Sequence, residues 1–249
     1  MIILKSPKEI EVMKIAGRIS ANALALAGNL IRPGMTTKEL DTKIHDYIVK
    51  NNATPSFLHY NGFAGSACIS INEEVIHGIP SGKVIREGDI VSVDVGACYN
   101  GFHGDCADTF FVGQVSEEAR KLVKITRQSF YESLKAATVE HRLSDISHTV
   151  QSYCESFGYG IVREYTGHGI GRSLHEDPNI PNFGNPGRGV RLMAGMTIAV
   201  EPMVNAGTPH IINMQDGWTV VTADGSLSAH FENTILITKS EPVILTVAG

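Results

Sequence analysis

The 249-residue chain is 43% hydrophobic and 19% charged, a composition that supports a buried core and excludes a disordered chain. With 21 basic and 26 acidic side chains the net charge is −5, so no global positive field exists to hold nucleic acid or an anionic membrane. Four cysteines (Cys68, Cys98, Cys106, Cys154) form no C-x-x-C pair and follow no signal-peptide pattern, so reduced thiols in a cytoplasmic setting are expected. No apolar run reaches the roughly 18 residues of a membrane span.

In chain order, Ser6-Pro7-Lys8-Glu9 reads as a capping box with proline in the first turn. It opens a helix in which Val12, Ile15, Ile19, Leu26 and Leu30 recur at helical spacing until Arg32-Pro33-Gly34. A second capping box, Thr36 to Glu39, opens a shorter helix carrying Leu40, Ile44 and Ile48 and closing near Asn51-Asn52. Gly88 to Gly96 alternates around β-branched residues, and Asn100-Gly101 supplies a hairpin turn before a return strand through Thr109 to Val112. Ser116 caps a long helix to about Ala137. Ser144 caps a shorter one with Ile146, Val150 and Phe157, and Gly158 stands at its C-terminus.

The order of helices followed by strands thus occurs twice. Gly88 stands six residues ahead of Asp94 and Gly195 six ahead of Glu201, and each strand leads to a return strand bearing another carboxylate, Asp105 or Glu232. The expectation is an α+β chain of one catalytic domain, 1–249, made of two halves, about 1–113 and 114–249, around a pseudo-twofold axis. Pro178 to Gly189 reads as a surface loop inserted in the second half.

A two-residue Asn100-Gly101 loop pairs Tyr99 with Phe102 and Asp94 with Ala107. Asp94 and Asp105 then share a face as diagonal neighbours, with Cα atoms roughly 7–8 Å apart, while Asp108 points the other way. Two carboxylates so placed repel unless a cation lies between them. From this pair alone, a strand-end carboxylate and a turn-bonded one remain the plainer reading. Glu201, within the apolar run Met196 to Val204, and Glu232 raise the stakes, because an unpartnered charge there is costly. His168 lies in Gly167-His168-Gly169-Ile170-Gly171, where glycines suit a backbone passing close to a metal or substrate. Two Asp, two Glu and one His form an oxygen-rich set for two divalent ions of the Mn, Fe or Co type and a hydrolytic reaction. His77 and His175 precede the carboxylate strands of their halves, as proton donors or hydrogen-bond partners to substrate or as plain loop histidines.

Several motifs then occur in order: Cys68-Ile69-Ser70-Ile71-Asn72, His77-Gly78-Ile79-Pro80, Gly88 to Asp94, Gly101-Phe102-His103-Gly104-Asp105, Arg163 to Gly171, Glu201-Pro202-Met203-Val204-Asn205 and Asp216-Gly217-Trp218. Together they resemble, over essentially the whole chain, the type I methionine aminopeptidases, which have the pita-bread fold. The resemblance implies removal of initiator methionine from nascent chains when the second residue is small, by a dinuclear centre of Co, Mn, Fe or Zn and its bridging water. It implies that Asp94 chelates one metal, Asp105 and Glu232 bridge both, and His168 with Glu201 completes the other site. Glu201 would also move a proton, His77 would contact the scissile amide nitrogen and His175 the carbonyl oxygen. The methionine pocket would draw on Tyr60, Phe63, Cys68 and Trp218, with Phe57 and Leu174 nearby. Asn72, Glu74 and Ser228 fall where some relatives bind a monovalent cation. One tension is internal: if Asp224-Gly225 forms a tight hairpin, Trp218 pairs with Phe231 and faces away from Glu232.

A cytoplasmic monomer is the expected setting, with transient ribosome association and no stable nucleic-acid or membrane binding. The alternatives are an X-Pro peptidase of the same fold, which usually carries an added N-terminal domain, and a non-catalytic binding protein, in which ligands would be lost.

Overall fold

A computed structural model describes residues 1–249. The chain begins with α1 (Pro7–Leu30) and α2 (Thr37–Lys50), both opened by the expected capping boxes of Ser6 with Glu9 and Thr36 with Glu39. Strands β1 (Thr54–Pro55), β2 (Ala67–Ile71), β3 (Glu74–Ile76), β4 (Ile90–Tyr99) and β5 (Phe102–Phe111) follow. Next come α3 (Glu117–Leu134), α4 (Leu143–Glu155), β6 (Gly160–Ile161), β7 (Thr166–Gly169) and β8 (Glu176–Pro181). The chain ends with β9 (Thr197–Val200), β10 (Met203–Asn205), β11 (Ile211–Asn213), β12 (Val220–Thr222), β13 (Ser228–His230), β14 (Glu232–Leu236) and β15 (Val243–Ile244). No helix is long and apolar enough to cross a membrane.

A nine-stranded antiparallel sheet runs β1-β4-β5-β14-β9-β7-β8, with β2 added to β4 and β15 to β14. Helices cover one face. Buried side chains of α1 and α2 pack on Val91, Val93, Val95 and Ala97, and those of α3 and α4 on Ile198, Val200 and Ile235. Alternation along each strand therefore turns Asp94, Asp105, Glu201 and Glu232 to the opposite face. Two smaller three-stranded sheets, β13-β10-β6 and β11-β12-β3, complete the architecture.

The face that α1 buries differs from the expected one. Ile15 is 42% exposed, and the buried residues are mainly small ones, Ala16, Gly17, Ser20, Ala23 and Ala27. The cause is a close approach to β5: a Cβ on Gly104 would lie 2.6 Å from Gly17 backbone. Ser20 Oγ fills the contact, donating to the Gly104 carbonyl at 2.8 Å and accepting from Ala97 N–H at 3.0 Å.

In the second half, α4 starts before Ser144. Asp145 accepts from Arg142 N–H at 2.7 Å and secures the first turn, while Ser144 Oγ donates to the Arg188 carbonyl and ties down the loop after β8. The expected surface loop is shorter, because Asn179 to Pro181 pair with β7 and Ile180 is buried. Phe157 lies beyond the helix and is 40% exposed. Trp218 does not pair with Phe231. Its neighbour β12 pairs with β11 and β3, and the Asp224 carboxylate instead accepts from Thr208 and Ser226 N–H groups.

Candidate metal centre

The hairpin sets the first two carboxylates. Asn100 and Gly101 both have positive φ, +48° and +77°, as a two-residue turn of this kind requires. The register then matches Tyr99 with Phe102, Asp94 with Ala107 and Gly96 with Asp105. Asp108 turns to the helical face, where Arg127 of α3 holds it at 2.8 Å. Across the β5–β14 junction, Ala107 faces Glu232, and the Thr234 hydroxyl both accepts from Asp105 N–H and donates to the Asp105 carbonyl. Glu201 follows the last residue of β9, and His168 sits on β7 opposite Ala199. Five adjacent strand positions thus converge on one side of the sheet.

His168 Nδ1 contacts the Gly169 carbonyl at 2.8 Å, which leaves Nε2 facing Asp105 Oδ2 at 3.9 Å and Glu201 Oε1 at 3.7 Å. The glycines around it serve a purpose other than the expected one. A Cβ on Gly167 would lie 2.3 Å from the Ala199 carbonyl oxygen, and one on Gly169 would lie 2.2 Å from that of Asp177. They admit the neighbouring strands rather than a metal or substrate.

His77 has φ +59°, a left-handed conformation uncommon outside glycine. The turn is held by Gly78, whose carbonyl accepts from Ile69 N–H at 2.9 Å and whose N–H donates to Ser70 Oγ at 3.1 Å. His175 stands at the open mouth with Nδ1 2.7 Å from the Tyr60 hydroxyl, its ring edge-on to His168. Phe57, Tyr60, Phe63, Cys68 and Trp218 line the cavity with the two histidines and the five metal candidates. Phe63 meets Trp218 edge-on, and Leu174 packs in the apolar cluster behind the wall. Asn72, Glu74 and Ser228 share a corner away from this cavity. Ser228 N–H donates to the Asn72 carbonyl at 2.9 Å, while the Glu74 carboxylate binds Ile71 N–H and Lys83.

Burial pushes the Asp94, Glu201 and Glu232 carboxyls well above the usual range, and repulsion from neighbouring carboxylates adds to it. Asp105 is pushed up to about 7, chiefly by burial. Burial lowers His168 and His230 to about 3, so both imidazoles are neutral, the form that ligates metals. Burial and then the carboxylates raise the Cys68 thiol, keeping it protonated. Asp94 Oδ1, Asp105 Oδ1 and Glu232 Oε1 are buried with no hydrogen-bond partner. Such oxygens need a compensating cation, and a hard-oxygen set with one imidazole fits a divalent metal ion.

His230 was not singled out by sequence reasoning. Its Nε2 is likewise buried and unpartnered, grouped with Glu201 and Glu232. The available signal was nearness in sequence alone, since His230 stands two residues before Glu232, although the structure divides that segment between β13 and β14.

A model of metallopeptidase family M24 matches residues 11–239. Methionine aminopeptidase from Clostridium perfringens is 54% identical over 247 residues, covering 99% of both chains. The crystal structure of methionine aminopeptidase from Thermotoga maritima superposes with a TM-score of 0.97 at 48% identity, covering 99% of each chain. Prolidase from Pyrococcus furiosus has a TM-score of 0.82 at 25% identity, and the match spans 99% of this chain but 66% of the prolidase. The architecture is the expected α+β pita-bread fold. On these similarities the chain belongs to metallopeptidase family M24, among its methionine aminopeptidases.

Proposed function

We propose that the chain hydrolytically removes initiator methionine from nascent proteins whose second residue is small. The observation that carries this reading is one cavity in which four carboxylates and His168 meet an aromatic wall of Phe57, Tyr60, Phe63 and Trp218. In this reading Asp94 would hold one divalent ion (Co, Mn, Fe or Zn), His168 and Glu201 would hold a second, and Asp105 and Glu232 would serve both. Bound there, the ions supply Lewis-acid polarisation and acidify a water molecule. A monovalent cation against Asn72, Glu74 and Ser228 belongs to the same reading, supported by their common corner.

Glu201 takes the proton from the attacking water and returns it during bond cleavage, a role open to a carboxylate that lines the cavity beside His168. His77 contacts the scissile amide nitrogen. His175 reaches the carbonyl oxygen with Nε2, because Tyr60 occupies its Nδ1. The apolar wall accepts the flexible thioether, selecting by shape and by contacts of sulfur with aromatic rings. A cytoplasmic monomer that meets emerging chains, with transient ribosome contact, is the implied setting. We further propose that 1–249 is one domain of two halves, about 1–113 and 114–249. Gly88 and Gly195, at matching places, both have positive φ, and β5 joins β14 at the junction.

The test compares methionine release from Met-Ala-Ser with cleavage of X-Pro dipeptides, in metal-free and metal-reconstituted protein. Metal-dependent methionine release is expected; cleavage of X-Pro substrates alone overturns the assignment.

A further inference from the structure

His230 ends β13 opposite Met203 of β10. Its N–H donates to Thr109 Oγ1 at 3.0 Å, and the same hydroxyl donates to its carbonyl at 2.8 Å, so its main chain is pinned to β5. The residue is 2% exposed. Its Nε2 has no hydrogen-bond partner and lies 3.8 Å from Glu201 Oε2 and 3.8 Å from Glu232 Oε2. The other oxygen of Glu201, Oε1, faces His168 Nε2 at 3.7 Å. Glu201 is therefore flanked by one imidazole at each oxygen.

A buried imidazole nitrogen is costly when unsatisfied, so Nε2 serves either as a metal ligand or as a donor to a carboxylate. Charge argues against a further ion at Nε2. Asp94, Asp105, Glu201 and Glu232 carry four negative charges, which two divalent ions already balance. A third cation against Glu201 and Glu232 would find no anion left.

We propose that His230 is a positioning residue whose Nε2–H donates to Glu201 Oε2, holding that carboxylate with Oε1 toward His168. Partners of this kind orient metal-bound carboxylates and are typically worth about 10- to 100-fold in affinity or activity. The inference rests on the assignment of Glu201 as ligand and proton carrier.

The test uses full-length wild type, His230→Leu and His230→Gln, each titrated with Mn(II) by calorimetry and then assayed on Met-Ala-Ser. His230→Leu is expected to bind as many Mn(II) ions as wild type, with kcat lowered by about 10- to 100-fold and KM within about threefold. His230→Gln, which keeps a donor, restores most of kcat. Should His230→Leu not fold, His230→Asn, whose amide is too short to reach Glu201, takes its place under the same criteria. The proposal is overturned by an unchanged kcat in the donor-less variant, by the loss of one Mn(II) equivalent, or by a folded His230→Gln as slow as that variant. Wild type lacking metal-dependent methionine release would instead bring down the functional reading itself.

Discussion

At the scale of single residues, the proposed site separates the carboxylates and His168, which would hold metal, from the histidines and aromatic groups that would meet substrate. Glu201→Gln keeps the shape of the side chain but removes its basicity. Turnover is expected to fall by at least about 10²-fold with the circular dichroism spectrum unchanged, measured at matched Mn(II) occupancy. Tyr60→Phe removes only the contact that orients His175. A neutral hydrogen bond contributes about 1 kcal/mol, so a loss of about fivefold in kcat is expected, smaller than that of His175→Ala in the same assay. His77 is lowered to about 4, first by burial and then by the nearby His175. Its ring is therefore neutral across pH 5–8, and its Cε1–H NMR resonance should stay constant there and move only near pH 4. The unfolded chain takes up this proton near the ordinary histidine pKa of about 6.5. The group therefore lowers stability as pH falls from that value toward 4.

At the scale of elements, α1 and the N-terminal segment set the positions behind and beside the site. Gly104→Ala drives a methyl group into the Gly17 backbone, and overpacking of this kind costs about 1–3 kcal/mol, readable as a lower denaturation midpoint. Lys5 N–H donates to the Gly195 carbonyl, and its Nζ pairs with Glu176, the residue after His175, with side chains only 3% and 7% exposed. Lys5→Met leaves Glu176 buried and unpaired. Both a loss of about 3 kcal/mol in urea denaturation and a larger change in kcat than in KM are expected. These elements also show what could be read in advance. The capping boxes and the Asn100-Gly101 turn act through neighbours a few residues away, so their register was legible and brought Asp94 and Asp105 to one face. The start of α4 was not, because a distant carbonyl, that of Arg188, claims the Ser144 hydroxyl. The side chain of Trp218 likewise depends on β12 joining β3 and β11, a pairing that no local pattern encodes. His230 was missed because its significance lies in Glu201, which belongs to another strand.

At the scale of the whole molecule, the buried, unpartnered oxygens of Asp94, Asp105 and Glu232 would couple the proposed metal binding to folding. Chelation should lower the melting temperature, and added Mn(II) should restore it. At 100 times its dissociation constant, a ligand specific for the folded state contributes about 2.7 kcal/mol, so the shift grows with metal concentration.

The β5–β14 junction has a further consequence in time. Asp105 and Thr234, which lock it, are 129 residues apart. During synthesis the first hairpin leaves the ribosome long before its partner exists, and contacts this distant in sequence form late. Until β14 docks, Asp94 and Asp105 lie on an uncovered sheet edge without Glu232. On the proposed ligand set, a chain still being made therefore cannot assemble the metal centre, and hydrolytic competence would arise only as the last large strand is laid into the sheet.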